Sequence, residues 1–244
     1  MLALLAIAAC ATPRTPTPQS PHVDLPDVAA SIIVDSDFAQ VRITTPEGRP
    51  LWTCAVQVLW TRCIERPTEP PRGPVLATLT TRGVPDRRVP FELAGDEGIL
   101  EIDDDGVSRS RPLDGTTLRT FRLDERRSVH AIFDIGADWW LCNDLVEHVL
   151  LDRIEERGTE AISREVRFRD DLGRRSDRPG GSVNAGFRAS SDLDDGRYRL
   201  RASALVAPRA RGDDAETACR SVDWTTAALL EVSFAIENGV ARVL

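Results

Sequence analysis

The sequence LWTCAVQVLWTRC, residues 51–63, places an apolar side chain at every second position. An apolar period of two is the pattern of a strand with one buried face, whereas a helix repeats at about every third or fourth position. Cys54 and Cys63 lie nine positions apart, as in the two arms of one hairpin. The segment therefore predicts β structure. Its alternating positions are Trp52, Cys54, Val56, Val58 and Trp60.

The same rhythm continues on both sides of this segment. Before it, QVRITT alternates at Val41 and Ile43 and leads into the turn Pro46-Glu47-Gly48-Arg49. After it, a Pro-rich loop at 66–74 separates further short runs of strand type. These runs are VLATLTT, RRVPFEL, GILEID, TLRTFRLDE, RSVHAIFDIG, SREVRFRDD, SVNAGFRASS, RYRLRASALV and ALLEVSFAIENGVARVL.

Three local features add detail to this β pattern. Residues 137–156 fit either a helix or a strand, and we prefer a strand over 146–154. Asp194-Asp195-Gly196 predicts a hairpin turn that leads into the next strand. Asn238-Gly239 predicts a two-residue hairpin, because this pair favours the positive φ angles that such a turn requires.

We therefore expect an all-β, mainly antiparallel fold with two β-sandwich-like units, at 30–107 and 108–244. The chain that follows residue 29 is long enough for one large or two modest cores. Residues 31–105, with a strand, a Pro-Glu-Gly turn and a strand, loosely resemble the small β domains of the PEGA type in bacterial envelope proteins.

At the N-terminus an apolar run from Leu2 ends in Ile7-Ala8-Ala9-Cys10, which resembles a bacterial lipobox. The resemblance implies that residues 1–9 are a signal peptide and that Cys10 is acylated as the first residue of the mature protein. The run is too short to cross a bilayer, which takes about 20 residues. No basic residue precedes Cys10, so we expect the signal to begin upstream of Met1. The alternative is an ordinary signal segment with a chance cysteine.

Residues 10–29 are rich in Pro and Thr and contain few large apolar side chains, so they predict a disordered tether. The lipobox resemblance implies attachment to the membrane through the lipid, in the extracytoplasmic bacterial cell envelope. In enterobacterial lipoproteins an Asp after the acylated Cys retains the protein at the inner membrane. Ala11 stands there in this chain, which favours the outer membrane.

The four remaining cysteines are Cys54, Cys63, Cys142 and Cys219, and they predict two disulfides because the N-terminal segment predicts export. Four cysteines allow three connectivities. We favour Cys54 with Cys63, across one apparent hairpin, and Cys142 with Cys219, which closes a long loop. A metal site is the alternative, but no C-x-x-C pair is present and neither His130 nor His148 has a Cys at zinc-finger spacing.

Composition excludes some functions. The formal net charge is −8, and every basic residue of the chain is an Arg. A net negative chain with scattered arginines does not predict a nucleic-acid partner. The absence of Lys excludes Schiff-base chemistry by this polypeptide.

Two acidic segments resemble the first half of a calcium loop: residues 101–106 and 192–196. In the first, Pro112 stands where the loop would need its bidentate Glu, so we interpret both segments as acidic turns. We found no nucleophile elbow, no zinc H-E-x-x-H motif and no Cys–His pair, and we predict no catalytic residue, metal site or cofactor. We expect His130 on a strand face and His148 partly buried or at the surface.

The five tryptophans, Trp52, Trp60, Trp139, Trp140 and Trp224, fit core positions. The alternative is a stacking platform for sugars, for which Trp139 and Trp140 are the candidates. We expect a non-enzymatic, lipid-anchored binding or structural module whose partner is another envelope protein or a glycan. The alternative is a carbohydrate-active or other hydrolase whose carboxylates assemble only in the fold.

Overall fold

The computed structural model describes residues 29–34, 38–57, 60–103, 106–142, 148–155, 158–163, 180–212, 214–222 and 226–244. Nearly all regular structure in these ranges is β, and most strand pairs are antiparallel, which confirms the predicted fold class. Cys10, the signal segment and residues 10–28 of the predicted tether lie outside the described residues, whereas its last residue, Ala29, is buried in the N-terminal core.

The elements are β1 (Ser31–Val34), β2 (Gln40–Thr44), β3 (Pro50–Gln57), β4 (Trp60–Glu65), β5 (Gly73–Thr80), β6 (Arg87–Leu93), β7 (Ile99–Ile102), β8 (Val107–Pro112), β9 (Thr117–Asp124), β10 (Ser128–Ile135), β11 (Trp139–Leu141), β12 (His148–Glu155), β13 (Gly158–Ser163), β14 (Gly181–Arg188), β15 (Gly196–Ala204), β16 (Val206–Pro208), α1 (Ala215–Arg220), β17 (Thr226–Glu237) and β18 (Val240–Val243).

Two large cores organise these strands. In the N-terminal core a five-stranded sheet, β4-β3-β2-β5-β6, packs on one face of β1 and β7. In the C-terminal core a three-stranded sheet, β14-β10-β9, packs on β12, β15 and β17. Each core lies between two β layers, as in a sandwich.

The largest sheet connects the two cores. Its order is β1-β7-β8-β17-β15-β12-β13, with β18 added beside β17, and β8 pairs with β17 in parallel. The boundary predicted between residues 107 and 108 therefore falls at the start of β8, and strands from both predicted units share one sheet. Sequence periodicity identifies strands but not their partners, so it could not reveal this sharing.

The large sheet bends back on itself between the two cores. Ile32 and Leu100 enter the N-terminal core. The opposite face of the same two strands carries Ile33 and Ile99, which pack with Leu150 and Leu229 from β12 and β17. The order of layers is thus the five-stranded sheet, β1 with β7, the β12-β15-β17 layer and the three-stranded sheet.

The strand predicted over residues 146–154 is confirmed where the structure describes it, as β12. The hairpin predicted at Asn238-Gly239 is also confirmed: it joins β17 to β18, with φ angles of 52° and 77°. The hairpin predicted at Asp194-Asp195-Gly196 is wrong. β15 does begin at Gly196, but it pairs with β12 and β17, and β14 belongs to the other sheet of the sandwich.

Both favoured disulfides are present. Cys54 and Cys63 are opposed on β3 and β4. Cys142, which follows β11, is bonded to Cys219 in α1. Two such bridges indicate an oxidising, extracytoplasmic setting. Of the helices in the described ranges, none is long and apolar enough to span a membrane.

Candidate functional site

The outer face of the three-stranded sheet carries the polar side chains that we assign as the candidate site. Along β10, Val129, Ala131, Phe133 and Ile135 are buried, whereas the residues between them are partly exposed. This strict alternation directs His130 and Asp134 away from the core. A sandwich needs only one face of each sheet for its core, so this outer face is available for contacts with other molecules.

At one end of this face, Asp134 joins side chains from all three strands. Ser182 on β14 donates a hydrogen bond to Asp134 Oδ1 at 2.6 Å. Arg119 on β9 lies 3.5 Å from Asp134 Oδ2 and donates a hydrogen bond to Ser182 Oγ at 3.1 Å. The side chains of Arg119 and Asp134 are 59% and 41% exposed, so their free donor and acceptor positions face solvent.

A second ion pair lies at the opposite end of the same two strands. Arg122 Nε is 3.5 Å from Asp124 Oδ2, and His130 Nε2 is 3.7 Å from the same oxygen. Asp124 and Arg122 are about half exposed, whereas His130 keeps only 17% of its side chain accessible. The imidazole is therefore held partly buried next to an accessible carboxylate.

The two candidate stacking residues differ in environment. Trp140 is 5% exposed and packs with Cys142 and Cys219, the disulfide partners, while the guanidinium of Arg209 lies 5.9 Å from its ring centre. Trp139 is partly exposed, packs against the C-terminal core, and accepts a hydrogen bond at its carbonyl from the N–H of Gly180. Gly180 directly precedes β14, so Trp139 lies at the end of the sheet that carries Ser182 and Asp134. A stacking role stays a prediction, and of the two tryptophans Trp139 is the partly exposed one.

The acidic segments use their carboxylates in hydrogen bonds and an ion pair. Asp103 Oδ1 accepts a hydrogen bond from the N–H of Gly106 at 2.8 Å within the β7–β8 connection. Asp192 is paired with Arg127 at 3.1 Å. Asp195 binds the N–H groups of Asn238 and Gly239, and these two hydrogen bonds lower the pKa of its carboxyl. In the described part of the chain, no three His, Cys, Asp or Glu side chains gather as a metal site.

A buried polar layer lies between the two cores. Asp152 and Arg201, each about 1% exposed, form an ion pair, and Arg201 also donates to the carbonyl of Gly98 at 2.7 Å. Arg66 lies near this pair, and its burial lowers the pKa of its guanidinium. These groups hold β12 and β15 against the strands of the N-terminal core, and their burial excludes them from direct contact with a ligand.

His148 belongs to the same layer. Its Nε2 lies 2.9 Å from Glu101 Oε2, and the residue is 6% exposed. His148 is therefore buried, more fully than the expected partly buried or surface position. In the contacts of the buried layer and of the outer face, His148 faces Glu101 and His130 faces Asp124. The hydrolase alternative stays a prediction.

Sequence reasoning did not single out Arg119, Asp134 or Ser182. They are separated by up to 63 residues and meet only because β9 and β14 flank β10. The detectable signal was the alternation in β10, which identifies its outward positions. The positions opposite them follow from the strand register.

Comparison with protein-family models, with curated proteins and with solved structures gave no match. The likenesses to lipoproteins and to PEGA-type domains therefore stay predictions. The Pro-Glu-Gly segment does form the turn between β2 and β3, where Gly48 has a φ of 87°.

Proposed function

We propose that this protein is a lipid-tethered, extracytoplasmic binding module of the bacterial cell envelope, and that it acts without catalysis. The lipobox-like segment ending at Cys10 supplies the anchor, and residues 10–29 supply the tether. Lipid attachment leaves the folded body free of any need to contact the bilayer. The two disulfides support an extracytoplasmic location.

The ligand that we propose is a neutral or weakly charged glycan of the envelope, bound by the outer face of the three-stranded sheet. The observation that carries this proposal is the Arg119–Asp134–Ser182 network. Its guanidinium, carboxylate and hydroxyl present donors and acceptors side by side, as a row of sugar hydroxyls requires. Arg119 and Arg122 on this face already have carboxylate partners, which favours a polyol over a phosphate-rich ligand.

The anchor is tested by a Cys10→Ser variant. The wild-type chain should incorporate radiolabelled palmitate and fractionate with membranes. The variant should lose the label and appear in the soluble extracytoplasmic fraction. A variant that stays in the membrane fraction contradicts the lipid anchor, whatever the ligand of the body is.

The ligand is tested with the soluble Cys10→Ser chain and purified envelope polysaccharide in a co-sedimentation assay. Asp134→Ala and Arg119→Ala should each reduce binding about tenfold, because each removes a charged hydrogen-bonding group. Arg42→Ala is the matched control, since Arg42 is an exposed strand arginine on the N-terminal five-stranded sheet. Equal binding by all variants, with retained thermal unfolding, would remove the outer face as the glycan site.

A further inference from the structure

The C-terminal sandwich has an open side where two strand edges lie close together. Within the described residues, β9 pairs only with β10 and β18 pairs only with β17. The two edges lie on the same side of the sandwich. The ring centres of Phe121 on β9 and Phe234 on β17 are 4.8 Å apart, and Phe234 is the register partner of Val243 in β18. Unpaired strand edges present backbone groups that can bind a further strand.

Apolar side chains are concentrated at this edge. Val240, Val243 and Leu244 are 56%, 44% and 38% exposed. Only two other large hydrophobic side chains in the described part of the chain, Ile64 and Val84, are comparably exposed. Ala241 lies between these residues and packs against the C-terminal core. An added strand would cover apolar surface that β18 leaves in water.

The backbone groups that would bind such a strand follow from the register. Leu244 donates its N–H to the carbonyl of Ser233 on β17 at 2.9 Å. In an antiparallel pair, alternate residues bond to the same neighbour. The N–H groups of Val243 and Ala241 therefore point away from β17, toward the open side.

The positive charge on β18 determines which added strand pairs favourably with it. Arg242 is exposed in the middle of β18. A second copy of β18 that paired Val240 with Leu244 would place the two Arg242 side chains directly opposite each other, which is unfavourable. An acidic residue at that position would be favourable.

We propose that the free edge of β18 binds an extended segment of a partner protein, in which apolar residues alternate with acidic ones. The segment extends the large sheet by one strand. Its backbone bonds to Ala241 and Val243, its apolar residues cover Val243, and an acidic side chain pairs with Arg242. This mode is β-strand addition, in which main-chain hydrogen bonds supply affinity and alternate side chains supply specificity.

The test uses the soluble Cys10→Ser chain and two synthetic peptides of about nine residues. In one peptide Val alternates with Glu, and in the other Val alternates with Arg. Fluorescence anisotropy should show that the Val/Glu peptide binds at least about tenfold more tightly. Hydrogen exchange should show new protection at the amides of Ala241 and Val243.

Two variants separate the backbone and charge contributions. Val243→Pro removes an outward N–H without removing a bond to β17, and it should abolish peptide binding, whereas Val243→Thr keeps the N–H and should bind. Arg242→Glu should reverse the peptide preference. Equal binding of the two peptides to the wild-type chain, or an unchanged preference in Arg242→Glu, overturns the proposal. So does a concentration-dependent dimer that protects the same amides and excludes peptide, because the occupant is then a second copy.

Discussion

The carboxylate of Asp195 accepts a hydrogen bond at 2.7 Å from the backbone N–H of Asn238. Its other oxygen accepts hydrogen bonds from the N–H of Gly239 and from Arg126, each at 3.2 Å. Arg126 and Asn238 both have positive φ angles, so two tight turns are held by one carboxylate. The turns of β9–β10 and β17–β18 are thus tied to the start of β15.

This arrangement predicts a pH-dependent contribution to stability. The two backbone N–H groups favour the charged carboxylate and hold the pKa of Asp195 below its ordinary value. The stabilisation is therefore present above the unfolded pKa of about 3.9 and is lost as the pH falls through the lower folded value. Asp195→Asn should lower the free energy of unfolding at neutral pH and reduce its fall in acid, as measured by urea titrations at several pH values. Asp86→Asn, at an exposed loop position, is the control and should change neither quantity.

The contact between Gly98 and Leu229 predicts a strong coupling. A Cβ added at Gly98 would lie 2.3 Å from a terminal methyl carbon of Leu229, which is itself buried. Gly98→Ala should cost about 1–3 kcal/mol through overpacking, and Leu229→Ala about 2–5 kcal/mol through a cavity. The double variant should lose less unfolding free energy than the sum of the two single losses, by about 1 kcal/mol or more. Additive losses in chemical denaturation would contradict the contact.

The buried pair of Asp152 and Arg201 predicts an asymmetric response to substitution. Asp152→Ala leaves Arg201 and the nearby Arg66 without their carboxylate, and it should cost about 3–5 kcal/mol of unfolding free energy. Replacing both members of the pair, as in Asp152→Leu with Arg201→Met, should recover most of this loss. A double variant no more stable than Asp152→Ala would contradict this expectation. It would show that the attraction within the ion pair exceeds the cost of burying its two charges.

The two disulfides should contribute unequally. They close loops with sequence separations of 9 and 77 residues. The chain-entropy model gives about 2–3 kcal/mol for the Cys54–Cys63 bridge and about 4–5 kcal/mol for the Cys142–Cys219 bridge. Paired Cys→Ala variants, compared by thermal unfolding without reductant, measure the two contributions. A larger loss from Cys54→Ala with Cys63→Ala would reverse the expected order.

Local patterns were sufficient to predict much of the fold. Neighbouring residues alone specify the alternation in β10 and the Asn238-Gly239 turn. The two disulfides were predictable because four cysteines allow only three connectivities. The helix α1 was missed, although Asp214 caps it by accepting a hydrogen bond from the N–H of Thr217 at 2.7 Å. An Asp followed by Glu216 is a helix-start signal that was available in the sequence.

Pairing over long distances was not predictable. The parallel contact of β8 with β17 joins segments more than a hundred positions apart, and no periodicity specifies it. The same holds for Asp134 and Ser182 in the candidate site, because their contact depends on β14 lying beside β10. A shift of that register by one residue would turn Ser182 toward the core.

Trp139 and Trp140 provide the last prediction, because neighbouring residues on one strand should respond differently to the same substitution. Trp140 is buried with the Cys142–Cys219 bridge, so Trp140→Ala should cost about 3–5 kcal/mol of stability. Trp139 is partly exposed, so Trp139→Ala should cost less and should weaken binding of envelope polysaccharide if its ring stacks on a sugar. Thermal unfolding and co-sedimentation on the same two variants measure both effects. Full polysaccharide binding by a folded Trp139→Ala chain would confine the glycan contact to the polar network around Asp134.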